Sequence, residues 1–218
     1  MAMPTDAAHL HKLNAWFSPS YPVGAFSYSH GLEAVVSDGD VGSAVDLYQW
    51  LSDCLWFGAG RNDAILLAHA YRAGDRAALS ELAELAVALA ASPERQLETT
   101  AQGAAFAKVT QNVWGGDLAD LPYPVAVGAA ARAEGIPLDM TLSLYLHAFA
   151  ANIIAAGVRF IPLGQTDGQQ VLARLFPAFD AIAAEAAEAT LDDLGSATFR
   201  ADLASMQHET LKTRIFRS

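Results

Sequence analysis

The chain has 218 residues, of which 53% are hydrophobic and 17% charged, and its net charge at pH 7 is −11. This length suits one domain, or two small ones, with a sizeable buried core. The acidic excess argues against a nucleic-acid partner, because phosphate contacts require clustered Lys and Arg. The single cysteine, Cys54, excludes an internal disulfide and a multi-cysteine metal site. We expect a cytoplasmic protein.

The most apolar stretch, residues 140–161, is interrupted by polar side chains such as His147, Asn152 and Arg159. A membrane-spanning helix needs about 20 largely unbroken apolar residues. The stretch therefore predicts a buried core helix rather than a membrane segment. The N-terminus has neither the cationic start nor the apolar core of a signal peptide.

Helix is predicted nearly everywhere, because alanine is abundant and the Val, Ile and Thr runs typical of strands are absent. Ser43 with Asp46 has the pattern of a capping box, and this helix is expected to end at Gly58. Asn62 predicts the cap of a short helix that runs to Gly74.

Further helix starts follow along the chain. Asp75 predicts a helix that ends near Ser92, and Ser92-Pro93 opens a long helix that ends at Gly115. The remaining predicted helices span 124–134, 137–156 and a segment that starts with a Thr166–Gln169 capping box and is kinked or split at Pro177. The fold class is therefore all-α, a single globular domain of about eight to ten helices.

Two segments interrupt this helical pattern: residues 18–33 (SPSYPVGAFSYSHGLE) and residues 159–169 (RFIPLGQTDGQ). Ordinary connections need only a few polar residues, whereas the first segment combines prolines, glycines, serines and aromatic side chains. It predicts a rigid turn. The turn either serves only to place aromatic side chains in the core or also forms part of a functional surface.

The C-terminal residues 195–218 differ in charge from the body, residues 1–194. They carry a net charge of +2 against −13 for the rest of the chain. They also contain Met206, Leu211, Ile215 and Phe216, whereas disordered tails are poor in large apolar groups. A frayed terminus is the alternative, but the composition favours a partner-binding tail that becomes ordered on docking to a partner.

Enzyme motifs are absent. No phosphate-binding loop or GxSxG elbow occurs, and His208-Glu209 lacks the second histidine of a zinc-protease motif. We predict no catalytic residue, no cofactor and no closed set of metal ligands. Three alternatives stay open: an all-α metal-dependent hydrolase that uses His30, His208 and Glu209, a polar path past His147 and Asn152 that passes an ion without trapping it, and a helical structural module whose acidic face only confers solubility.

The segments 18–33 and 159–169, together with HETLKTRIFRS at residues 208–218, resemble the UreF family of urease accessory proteins. They occur in the order typical of that family and span essentially the whole chain. Residues 75–123 are less diagnostic.

The resemblance implies an all-α, dimeric protein without catalytic activity, which acts in the cytoplasm as a chaperone for nickel insertion into apo-urease. It implies binding to a UreD/UreH-type accessory protein and recruitment of a UreG-type GTPase, whose GTP turnover it regulates. An internal route for nickel toward the urease active site is also implied.

The resemblance also implies roles for the residues that match its motifs. We predict that the Arg214 guanidinium contacts Phe26 or Tyr28, because arginine suits an aromatic face. The matching residues of the N-terminal turn are Pro22, Gly24, Phe26, Tyr28, Gly31 and Glu33. Those of the tail are His208, Glu209, Arg214, Phe216 and Arg217, expected to lie against that turn or against a partner. Those of the second turn are Gly164 and Gln165.

Overall fold

The structure is a computed structural model that describes residues 5–217, with side chains from Ala7 onward. Within that range it contains α-helices and two short 3-10 turns, and no strand, which confirms the all-α prediction. The helices are α1 (Thr5–Trp16), α2 (Leu32–Ser37), α3 (Ala44–Phe57), α4 (Ala59–Arg72), α5 (Arg76–Ala88), α6 (Pro93–Trp114), α7 (Tyr123–Ala133), α8 (Leu138–Phe160), α9 (Gln165–Glu188) and α10 (Phe199–His208).

Three helices begin at the residues that the sequence predicts as caps. The side chains of Ser43, Asp75 and Ser92 each accept a hydrogen bond from the amide three residues further on, at 3.3, 2.9 and 3.1 Å. These bonds satisfy amides of the first turn that have no partner within the helix. They fix where α3, α5 and α6 begin.

The predicted cap at Asn62 is wrong, because α4 already begins at Ala59 after Gly58. Asn62 lies inside the helix and is buried. Its side-chain oxygen accepts a hydrogen bond from the Gly195 amide at 3.1 Å. The asparagine therefore holds the start of the C-terminal region against α4 and does not start a helix.

The start of α9 also differs from the prediction. Gly164 is the N-cap, and its amide donates to the Asp167 carboxylate at 2.9 Å, so the Thr166–Gln169 box is not the one used. The helix is not split at Pro177 and runs on to Glu188.

The centre of the fold is α4, which contacts α3, α5, α7, α8 and α9. It approaches α7 closely at Gly128, where an added β-carbon would lie 2.4 Å from the Leu67 carbonyl oxygen. Ile65, Leu66 and Leu67 of α4 are at most 2% exposed.

Among the helices between residues 5 and 217, α8 alone is long and apolar enough to cross a membrane. Half of its most apolar window is buried inside the protein. It contacts α2, α3, α4, α7 and α9. It therefore has the environment of a core helix, as the sequence predicts.

Candidate functional site: the N-terminal turn and the C-terminal tail

The N-terminal turn, residues 18–33, connects α1 to α2 through a left-handed backbone at Gly24, His30 and Gly31, whose φ angles are +77°, +55° and +76°. Side chains rarely adopt this region, so His30 is an exception. At Gly31 a β-carbon would also lie 2.8 Å from the Ser205 amide nitrogen of α10. The turn therefore needs glycine there for two reasons, and α10 packs directly on it.

The side chains of the turn point in two directions. Tyr28 is buried, and Asn152 of α8 donates a hydrogen bond to the Ala25 carbonyl at 2.8 Å. Pro22 and Phe26 are exposed. The turn is thus anchored to the core on one side and open to solvent on the other.

Glu33 of α2 binds the C-terminal residues. Its carboxylate lies 3.0 Å from the His208 Nε2 and accepts hydrogen bonds from the amides of Ile215 and Phe216, at 2.8 and 3.0 Å. The residue is 4% exposed. A buried carboxylate requires such partners, because an unpaired charge is costly to remove from water.

His208, at the end of α10, has no exposed surface. Its Nδ1 lies 2.7 Å from a Glu94 oxygen, and the other Glu94 oxygen accepts from the Arg214 guanidinium at 2.6 Å. We call Glu33, Glu94, His208 and Arg214 the tail cluster. It joins α2, α6, α10 and the residues after α10, 209–217, which we call the terminal segment.

Phe216 is the apolar anchor of the terminal segment and is 5% exposed. Its ring centroid lies 5.0 Å from that of Phe160, and the Arg159 guanidinium lies 5.5 Å from the ring centroid. The next residue, Arg217, donates its amide to the Ser27 carbonyl at 2.7 Å. The segment therefore lies against the N-terminal turn.

Arg214 has a different partner from the one that the sequence predicts. We expected Phe26 or Tyr28, and the structure pairs Arg214 with Glu94. The cation over an aromatic ring of the tail is Arg159 of α8. A charge-assisted hydrogen bond to a carboxylate is stronger than an exposed cation–π contact, which explains the difference.

The other predicted site residues lie at the margin of this arrangement or apart from it. Glu209 follows His208, and its Oε1 is buried without a hydrogen-bond partner among the residues described. Gly164 and Gln165 are exposed at the start of α9, where Gly164 is the N-cap.

Several apolar side chains of α10, the N-terminal turn and the terminal segment are exposed. Phe199, Leu203 and Met206 follow helical spacing along the outer face of α10 and are 47 to 73% exposed. Phe26 of the turn and Ile215 of the terminal segment are 63 and 70% exposed. Exposed apolar groups gathered in one region are typical of protein–protein contact surfaces.

A second buried ionic group, which we call the core cluster, lies inside the body and consists of His30, Asp63, Arg95 and Glu98. His30 Nε2 lies 2.9 Å from a Glu98 oxygen and 3.2 Å from the Arg95 guanidinium. Arg95 also pairs with Glu98. Asp63 accepts a hydrogen bond from the Tyr145 hydroxyl at 2.9 Å.

The fold shifts the pKa values of the two carboxylates of the core cluster in opposite directions. Burial alone would raise the pKa of Glu98, but the charges of Arg95 and His30 and their hydrogen bonds lower it to about 2. Burial raises the pKa of Asp63, and this effect exceeds the opposing effects of Arg95 and the Tyr145 hydroxyl. Sequence reasoning missed Asp63, Arg95 and Glu98, as it missed Glu94 in the tail cluster.

A cavity of about 880 Å³ adjoins the core cluster and is lined by residues of α1, the N-terminal turn, α4, α6, α7, α8 and α9. Most of its wall is apolar and aromatic. Burial lowers the pKa of His147, which lies in this wall. The polar side chains that line it include His30, Asp63, Glu98, His147 and Asn152.

The histidines of the alternative hydrolase belong to separate hydrogen-bond networks. His30 pairs with Glu98, whereas both nitrogens of His208 face carboxylates and its side chain is fully buried. A substrate therefore cannot reach His208 in this arrangement. Within residues 5–217 no group of three or more His, Cys, Asp or Glu residues is placed to hold a metal ion.

The fold and the site define an all-α protein in which the N-terminal turn and the C-terminal residues meet at one surface. A family model described as UreF matches residues 41–176, including the less diagnostic stretch 75–123. "Urease accessory protein UreF" of Cereibacter sphaeroides (strain KD131 / KCTC 12085) is 54% identical over 212 residues, which cover 97% of this chain and 100% of that protein. The protein of the same name from Rhodopseudomonas palustris (strain BisB5) is 54% identical over 225 residues, covering 98% and 93%. The chain belongs to the UreF family, which confirms the resemblance.

Proposed function

We propose that this protein is a urease accessory chaperone of the cytoplasm, without catalytic activity, that helps to assemble the nickel centre of apo-urease. In this role it binds a UreD/UreH-type accessory protein through α10 and the terminal segment. The resulting complex recruits a UreG-type GTPase and regulates its GTP turnover. Family membership supports the chaperone role, since the relatives carry the name urease accessory protein.

The observation that carries the docking proposal is the way in which the C-terminal residues are held. The terminal segment is fixed to the body by amide hydrogen bonds to Glu33 and Ser27, by the Arg214–Glu94 ion pair and by the buried ring of Phe216. The apolar stripe of α10 beside it faces solvent. A segment held by few contacts next to exposed apolar groups can rearrange when a partner binds.

Size-exclusion chromatography with light scattering tests the proposal. The chain is mixed first with the cognate UreD/UreH-type protein and then with the UreG-type GTPase. We expect the intact chain to co-elute with both, and a chain without residues 209–218 to lose this binding. The truncation begins after α10 because Ala204, Ser205 and His208 are buried, and their removal would expose the core. Failure of the intact, folded chain to bind either protein would contradict the proposal.

A pair of glycine variants separates docking of α10 from strain in the turn. Gly31→Ala and Gly24→Ala both place alanine at a φ near +77°, with a similar backbone cost of about 1 kcal/mol. Only at Gly31 does the new β-carbon meet α10, whereas nothing lies within 4 Å of it at Gly24. We expect Gly31→Ala to weaken co-elution and Gly24→Ala to preserve it. Equal behaviour of the two variants would rule out a role for this contact.

A homodimer is part of the proposal, and we assign its contact to the face of α8 that lines the cavity, which the second copy would cover. The residues Leu144, His147, Ala151 and Ala155 share helical spacing there and are partly or fully exposed. Phe176 of α9 adjoins them and is 50% exposed. Arg159 lies at one end of α8, and Asp180, bonded to Ser143, lies near the other. An antiparallel pairing about a two-fold axis would bring these opposite charges together.

Light scattering of the chain alone tests the dimer. We expect twice the 23.0 kDa mass of the chain and a monomer for Ala151→Arg, because an arginine cannot fit between closely packed helices. The matched control is Ala77→Arg on the exposed face of α5. A monomeric wild-type chain, or a dimeric Ala151→Arg variant, would contradict this assignment.

The cavity supports an internal route for nickel past His147 and Asn152. We expect His147→Ala to reduce nickel delivery to apo-urease in a reconstituted assay, because the imidazole is a ligand that divalent nickel favours. His69→Ala is the control, since His69 contacts the Ala189 carbonyl and does not line the cavity. Unchanged delivery by a folded His147→Ala chain would count against the route.

A further inference from the structure

The His208 imidazole faces a carboxylate at each of its two ring nitrogens. The Nδ1–Glu94 and Nε2–Glu33 distances are 2.7 and 3.0 Å, and the side chain has no exposed surface. A neutral imidazole has one N–H group and one lone pair, and only the imidazolium donates at both nitrogens. In the neutral form a lone pair would face a carboxylate oxygen at hydrogen-bond distance. Hydrogen bonds from both ring nitrogens to the two carboxylates therefore require the imidazolium.

The charges that surround His208 lead to the same conclusion. The groups facing it are Glu33 from α2, Glu94 from α6 and, through Glu94, Arg214 from the terminal segment. Glu209, directly after α10, adds a further carboxylate with one buried oxygen. With a protonated His208, the charges of Glu33 and Glu94 are balanced. Without that proton the cluster holds unpaired negative charge in a buried place, which is costly.

We propose that the terminal segment is a proton-operated latch: it docks on the body with uptake of one proton, held by His208 between Glu33 and Glu94. Docking is therefore complete at lower pH and is lost as the pH rises through the titration of this cluster. A single linked proton changes the ratio of docked to detached chains by up to tenfold per pH unit.

Glu33 carries the protonation state of His208 to the rest of the tail. The same carboxylate that faces Nε2 accepts the amides of Ile215 and Phe216. The body keeps its own buried ion pairs in the core cluster, which lie on α4, α6 and the turn. Loss of the proton therefore releases the terminal segment and leaves the body folded. The latch is a property of the isolated chain, and its effect on partner binding rests on the proposed function.

Nuclear magnetic resonance of the full-length chain tests the latch between about pH 5.5 and about pH 9, the range around an ordinary histidine titration. The nitrogen shifts of the His208 ring report its protonation, and the amide signals of Ile215 and Phe216 report docking. We expect the ring to lose its proton in the same step in which the two amides lose their docked shifts. A neutral His208 ring with both amides still docked would overturn the proposal.

Three variants complete the test. Glu94→Gln removes one charge that favours the imidazolium, so we expect detachment at a pH at least about one unit lower. If the wild-type chain stays protonated and docked over the whole pH range measured, the Glu94→Gln variant should still detach within that range. If neither chain detaches at any pH measured, the latch is overturned. His208→Gln should dock weakly and independently of pH, and His69→Gln, remote from the cluster, should behave as wild type. A pH-dependent detachment that persists in His208→Gln would also overturn the proposal.

The co-elution assay separates the latch from the proposed function. We expect partner binding at two pH values on either side of the step to differ in the wild-type chain and to be equal in His208→Gln. Equal partner binding by the wild-type chain at the two pH values would show that the latch does not regulate partner binding. The nuclear magnetic resonance experiment would still decide whether the latch exists.

Discussion

The tail cluster and the core cluster contain the same kinds of side chain, two carboxylates with a histidine and an arginine, but they hold different parts of the molecule. The core cluster joins the N-terminal turn, α4 and α6 inside the body. The tail cluster joins groups far apart in sequence, since His208 and Glu33 are separated by 175 residues. The arginine side chain of the core cluster, Arg95, is 12% exposed, and that of the tail cluster, Arg214, is 40% exposed.

The two clusters are connected through short stretches of chain. His30 belongs to the core cluster and Glu33 to the tail cluster, three residues apart in one turn. Glu94 and Arg95 are neighbours at the start of α6. In the tail cluster, the body therefore supplies the two carboxylates, Glu33 and Glu94, and the C-terminal residues supply His208 and Arg214. Ion pairs of the same kind can therefore stabilise the body in the core cluster and hold a detachable segment in the tail cluster.

The largest effect is expected from Glu98→Gln, which breaks the core cluster. It leaves Arg95 and His30 buried without their carboxylate, and the loss of one partner of a buried ion pair costs about 3 to 5 kcal/mol. Urea unfolding at pH 7 measures this loss. The control is Asp117→Asn, which breaks the exposed pair with Arg76 and should change the free energy of unfolding by less than about 1 kcal/mol. Equal effects of the two variants would show that the core cluster does not stabilise the body.

The same variant has a defined pH dependence. The pKa of Glu98 is about 2 in the fold, below the ordinary value of about 4.3 for an unfolded chain. Its charge therefore contributes stability above about pH 4.3, and this contribution disappears as the pH falls toward 2. We expect the difference in stability between wild type and Glu98→Gln to shrink over this window. A difference that stays constant from pH 7 to pH 3 would contradict the ionic origin of the effect.

Much of the body could be predicted from the sequence, because local rules decide it. Ser43, Asp75 and Ser92 cap their helices through hydrogen bonds that span only three residues. Asn62 carries the same local pattern, and its prediction failed because a contact with Gly195, 133 residues away, uses its side chain. Local patterns cannot show which tertiary partner a polar group finds.

The candidate site could be predicted only in part for the same reason. The resemblance to the UreF family singled out Glu33, His208 and Phe216. It gave no sign of Glu94 or Glu98, which look like ordinary solvated acids on α6. Only packing in three dimensions places them beside cations, and it also decided that Arg214 pairs with Glu94.

Glu33→Gln should break the tail cluster without unfolding the body. An amide has one acceptor oxygen where the carboxylate accepts from three donors, and hydrogen bonds to a charged group contribute about 1.5 to 3 kcal/mol each. We expect a loss of docking of about 2 kcal/mol, seen as faster hydrogen exchange at Ile215 and Phe216, with unchanged exchange in α4. Asp38→Asn, at the exposed end of the same short helix, is the control. Faster exchange throughout α4 would mean that body and tail unfold as one unit.

Arg214→Ala should have the smallest effect on the isolated chain. The guanidinium is 40% exposed, and partly exposed ion pairs contribute about 0.5 to 1 kcal/mol. Docking of the terminal segment should therefore weaken only about twofold to fivefold, measured by hydrogen exchange at Phe216. Lys212→Ala, an exposed cation of the same segment, is the control and should leave exchange unchanged. If Arg214 also contacts the accessory partner, its replacement will reduce co-elution by more than this small loss of docking explains. If the Arg214→Ala variant assembles the complex as the wild type does, Arg214 does not contact the partner and only pairs with Glu94.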